Sequence, residues 1–88
     1  MEYEYSFNFL KIKSSDKINS SMIKFLYEMD EWFYSIEKKI VDLKREKYRS
    51  SEILKLFNIQ SNILSEIDIF LSNNKIKNFK IEIIKKKI

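Results

Sequence analysis

Residues 2–13 read EYEYSFNFLKIK, and their alternation decides the frame of the whole chain. Tyr3, Tyr5, Phe7 and Phe9 share one parity, with Glu4, Ser6 and Asn8 on the other. Aromatic residues at every second position mark a half-buried strand, because successive strand side chains point to opposite faces. At Phe9–Leu10 the phase slips, and Leu10 and Ile12 carry the apolar positions on the opposite parity. Within one strand, that slip calls for a bulge near Phe9–Leu10 or for burial of both faces there. The reading is a single strand over about residues 2–13. The aromatic stripe reads as core, in preference to a stacking platform for bases.

The other end of the chain answers it. Phe79, Ile81 and Ile83 alternate with Lys80 and Glu82, which predicts a second strand over about residues 76–87. Between the strands the period changes. Met22, Leu26, Met29, Phe33, Ile36, Ile40 and Leu43 recur at spacings of three and four, predicting a helix over about 16–47. Ser14, Ser15 and Asp16 supply an N-cap cluster for it, with Ser20 and Ser21 as a second place to start. Tyr48 to Ser51 read as the turn into a second helix over about 51–72. Its stripe is Ile53, Leu56, Phe57, Ile63, Leu64, Ile67, Phe70 and Leu71. Gln60 interrupts that stripe, either at its edge or as a polar contact that sets the register of two packed helices. Ser72, Asn73 and Asn74 end the helix, since asparagine is second only to glycine at the left-handed position after a helix.

These pieces predict an α+β fold of β-α-α-β order. A long antiparallel helical hairpin would be flanked by two terminal strands that pair antiparallel. At 88 residues the chain is read as one domain. A two-stranded ribbon on two helices is a thin core with unpaired edges, so a homodimer that completes the sheet or the core is expected.

Composition excludes many chemistries. The chain has no Gly, Pro, Cys or His, and neither Ala nor Thr appears in it. Without Cys there is no disulfide, thiolate nucleophile or Cys-bound zinc. Without His the commonest general base and metal ligand is missing, and without Gly so is a phosphate-cradling loop. Glu28, Asp30 and Glu31 lie beside Trp32, but a short acidic run with no cleft reads as a solvated helix face. No catalytic, cofactor or metal residues are therefore expected. The acidic start Met-Glu-Tyr-Glu does not read as a signal peptide, and no apolar run spans a membrane, so a cytoplasmic location is expected. The Lys, Asn and Ile bias points to an AT-rich genome.

What is left is surface. Tyr27, Trp32 and Tyr34 fall off the main stripe of the first helix and are candidate partner-binding residues. Net charge is +4, and it is unevenly spread. Lys44, Arg45, Lys47 and Arg49 cluster at the hairpin tip, and Lys85, Lys86 and Lys87 close the tail. Such clusters are the footprint of phosphate contacts, although only two arginines are available for base readout. The expectation is a non-enzymatic interaction protein that binds a protein partner. By size and composition alone the chain is similar to phage- or plasmid-encoded inhibitors, such as anti-CRISPR or toxin-neutralising proteins. The alternative is a basic nucleic-acid-binding protein acting through the hairpin tip and the tail.

Overall fold

The N-terminal segment is two strands, not one. A computed structural model describes residues 2–46 and 50–84. Its elements are β1 (Tyr3–Ser6), β2 (Leu10–Ser14), α1 (Ser20–Arg45), α2 (Ser50–Asn73) and β3 (Lys80–Ile83). They form an α+β fold with a three-stranded antiparallel sheet in the order β1-β2-β3. The slip at Phe9–Leu10 is thus a chain reversal in place of a bulge. β1 folds back on β2, with Tyr3 opposite Ser14 and Tyr5 opposite Ile12. Across a two-residue turn, odd positions before it share a face with even positions after it, so parity must invert. The terminal segments do pair antiparallel, but through β2, with Leu10 opposite Ile83 and Ile12 opposite Ile81. The single strand predicted over 2–13 and the four-element order are corrected accordingly. The C-terminal strand begins at Lys80, four residues later than predicted, and residues 85–87 of that prediction lie outside the described residues.

The sheet has two unlike faces. Leu10, Ile12, Ile81 and Tyr5 point at the helices, and Ile12 at the centre is fully buried. Lys11, Lys13, Lys80, Glu4 and Glu82 hold the outer face, where Lys11 Nζ lies 2.9 Å from Glu4 Oε1. Glu4 therefore pairs with its own hairpin and not with the C-terminal strand. A hydrogen bond and then the charge of Lys11 hold the Glu4 carboxyl below its ordinary value and raise the lysine.

The helices run antiparallel and pack along their stripes, except at Phe57, which the structure leaves exposed. Phe25 stacks on Phe70 at 4.1 Å between ring centroids, and nearer the tip Lys44 lies 5.6 Å over the Phe57 ring. Leu26, Ile40, Ile63, Ile67 and Leu71 are fully buried between the helices and the sheet. Gln60 is a core residue and not an edge one. It is 6% exposed, and its Nε2 donates to Glu37 Oε2 at 2.7 Å across the hairpin. A buried amide needs such a partner, so the pair ties the two helices at one register.

The first helix begins at Ser20, the second of the two predicted starts, but its cap is neither serine cluster. Asn19 is the N-cap of α1, its Oδ1 accepting from Met22 N–H at 3.0 Å. The predicted cap cluster has another task. Asp16 Oδ2 accepts from Lys77 N–H at 2.8 Å, and Ser15 N–H donates to Lys77 O at 3.1 Å. Those bonds dock the lead-in of β3 onto the end of β2. At the end of α2, Ile76 N–H donates to Leu71 O and Lys75 N–H to Ser72 O, the paired bonds of a Schellman cap. Its left-handed residue is Lys75, with φ 59°, and not Asn73 or Asn74. A side chain with a Cβ is disfavoured there. Lys75→Gly is expected to raise stability by about 1 kcal/mol, read as a higher urea midpoint at unchanged m-value.

Candidate functional site

The candidate surface is built on α1, and Asp30 fixes which way that helix faces. Asp30 is 0% exposed. Its Oδ1 accepts from Phe9 N–H and Leu10 N–H, each at 2.8 Å, and its Oδ2 accepts from Asn8 N–H at 3.0 Å. An ionised carboxylate only accepts hydrogen bonds, and three donors converge on it here. Primed hairpin turns close by placing residues at positive φ, usually glycine. Among the described residues only Lys75 and Asn78 have positive φ, so Asn8 and Phe9 do not. One backbone bond, Phe7 N–H to Leu10 O at 2.8 Å, spans the reversal, and the successive N–H groups of Asn8, Phe9 and Leu10 are gathered from outside by the Asp30 carboxylate. The acidic run at 28–31 is therefore not one solvated face, and its middle member is a structural anchor.

With Asp30 and Tyr34 turned to the hairpin, other positions on α1 follow from about 100° of rotation per residue. Tyr34 is half-buried, and its ring meets Phe9 edge-on at 4.8 Å. Lys38 Nζ lies 5.3 Å from the centroid of the same tyrosine ring. Tyr27 is seven residues earlier and shares that flank, exposed, beside Glu31. The Glu31 carboxylate raises the Tyr27 phenol above its ordinary value, by its charge first and by a hydrogen bond second. Trp32 is two residues from Asp30 and so lies nearly opposite the sheet side of the helix. The structure does not bring Tyr27, Trp32 and Tyr34 together on one face.

Trp32 has different neighbours, which the sequence reading did not assign to it. Phe25, Met29, Trp32, Ile36 and Leu43 follow one strip of α1 at spacings of three, four and seven. Phe25 meets Phe70 of α2, so this strip borders the helix–helix seam. Further along, Leu43 joins Leu56 and Ile59 around an open apolar notch flanked by Lys39, Asp42, Glu52 and Lys55. Met29, Leu43, Ile59 and Phe70 are half-buried, and Trp32 is 46% exposed. The i, i+7 relation of Phe25 to Trp32 is the signal that could have found this strip.

Of the basic residues, Lys44 and Arg45 are exposed in the last turn of α1. Cations at a helix C-terminus offset the partial charge of its unpaired carbonyls, which accounts for them without any ligand. Lys47, Arg49, Lys85, Lys86 and Lys87 lie outside the described residues. Among the described residues no group of three or more metal-ligating side chains converges. No helix there is long and apolar enough to cross a membrane. No family model, curated protein or solved structure matches the chain.

Proposed function

We propose that this chain works without catalysis, by binding another protein through the helical face centred on Trp32. The carrying observation is the half-exposed tryptophan on an apolar strip beside the α1–α2 seam, on the side away from the hairpin turn that Asp30 holds. A large amphipathic ring on a rigid helix suits an interface core, and further along the same strip the Leu43–Leu56–Ile59 notch is flanked by the charged Lys39, Asp42, Glu52 and Lys55. Size and composition are those of an inhibitor or accessory factor of a mobile element, and a cytoplasmic location is part of this reading. The same reading includes a homodimer, because a three-stranded sheet still presents open edges.

The alternative is phosphate binding through Lys44, Arg45, Lys47, Arg49 and Lys85–Lys87. Immobilised wild-type, Trp32→Ala and Lys44→Glu/Arg45→Glu chains, each exposed to lysate of the native host, separate the two. A protein retained by wild type and the charge variant, and lost from Trp32→Ala, is the expected result. Retention of nucleic acid that collapses between about 50 and 200 mM salt and is abolished by the charge variant would replace it with the alternative.

A further inference from the structure

We propose that the open edge of β3 pairs antiparallel with β3 of a second copy, Ile81 opposite Ile81 and Lys80 opposite Glu82. This gives the homodimer of the preceding reading its surface and register, and it rests on that reading. β3 is an outer strand of the sheet, and among the described residues it pairs with β2 alone. Ile84 N–H donates to Phe9 O. Since bonded and non-bonded pairs alternate along an antiparallel ladder, Glu82 and Lys80 also turn their backbone groups toward β2. Ile81 and Ile83 therefore turn theirs outward, and no other described residue bonds them.

A second strand can bond only where outward residues meet outward residues, which leaves registers two residues apart. Ile81 opposite Ile83 puts Glu82 against Glu82 of the copy, and Ile81 opposite Phe79 puts Lys80 against Lys80. Like charges directly opposite are destabilising. Ile81 opposite Ile81 puts Lys80 against Glu82 twice, at the non-bonded pairs where side chains lie closest, and Phe79 against Ile83 on the inner face. This register also suits the charges already there. Lys80 stands opposite Lys13 within the chain, and both share one carboxylate, Glu82, at 3.7 Å. The second copy brings Lys80 a carboxylate of its own.

The apolar side agrees. Ile83 is 52% exposed and Ile69 of α2 is 53% exposed. They flank an open groove of about 530 Å³ between α2 and β3, with Leu64 and Ile81 in its wall. Phe79 of the second copy, set against Ile83, covers the rim of that groove.

Two measurements test the proposal. Sedimentation of the wild-type chain should show a dimer at micromolar concentration, and Ile83→Pro should raise its dissociation constant by about tenfold or more. The Ile83 N–H faces outward, so proline there removes no bond to β2. The second test uses the absence of native cysteine. Lys80→Cys and Glu82→Cys chains, mixed and oxidised, should cross-link to each other and not to themselves, because directly opposite non-bonded positions lie within disulfide reach. A dimer indifferent to Ile83→Pro, with no preference for the unlike cross-link, overturns the edge and register while leaving dimerisation standing. A wild-type chain that stays monomeric overturns both.

Discussion

Asp30→Ala is expected to cost about 3–5 kcal/mol of folding stability, because it strips the buried Phe9 and Leu10 N–H groups, and the part-buried Asn8 N–H, of the carboxylate that accepts from them. The Asn8, Phe9 and Leu10 amides lie 2.8–3.0 Å from the Asp30 carboxylate. Phe9 and Leu10 are buried, so water does not readily take the place of the carboxylate. Each orphaned donor carries a desolvation penalty of about 1–3 kcal/mol. A chain of this length has about 4–13 kcal/mol in all, so the variant stands close to unfolding at ambient temperature. Asp30→Asn keeps one oxygen for Phe9 and Leu10 but turns an amide N–H toward Asn8. It is expected to lose about half as much, roughly 2 kcal/mol. Urea melts of wild type, Asp30→Asn and Asp30→Ala should fall in that order. Amide exchange in the wild type gives an independent reading, since these three turn amides should be protected like core amides. If they exchange at the rate of amides in an unstructured peptide, the carboxylate does not hold the turn.

That clamp also explains what was legible in the sequence and what was not. The helices are local objects. Their stripes, Met22 to Leu43 and Ile53 to Leu71, follow from spacing alone, and the observed α1 and α2 lie within a few residues of the predicted spans. The turn at Asn8–Phe9 is not local. No residue in EYEYSFNFLKIK announces a reversal, because the group that gathers the turn amides is Asp30, more than twenty residues away from Asn8 and Phe9. Two signs were present all the same. The parity inversion at Phe9–Leu10 is what an even-numbered turn must produce. Asp30 also stands in register with Leu26 and Phe33, a carboxylate on an apolar stripe, while Met29 competed for the same position. The caps misled for a related reason. In a chain without glycine a lysine takes the left-handed position at φ 59°, a choice that propensity ranks well below asparagine. The candidate site was read from which aromatic residues leave the main stripe. That criterion found Trp32, but it grouped the tryptophan with Tyr27 and Tyr34, which sit around the opposite flank.

Trp32→Ala is expected to weaken partner binding by about 2–4 kcal/mol, a loss of roughly 30- to 1,000-fold in affinity, while barely changing the fold. The two effects separate because Trp32 is 46% exposed and belongs to no part of the buried cluster. Its removal leaves the Phe25–Phe70 stack and the Gln60–Glu37 bond in place, so the urea midpoint should move by less than the equivalent of about 1 kcal/mol. Tyr34→Ala gives the opposite pattern. That ring packs edge-on against Phe9 beside the Asp30 anchor, so its loss should lower stability first and affinity only through it. Tyr27→Ala, an exposed change on the same flank as Tyr34, should leave both quantities nearly unchanged. Isothermal titration and urea melts on the three variants make a grid with one entry large in binding and one large in stability. Equal losses of affinity from Tyr27→Ala and Trp32→Ala would show that the partner wraps both flanks of α1. The strip beside the helix–helix seam would then be only part of the binding face.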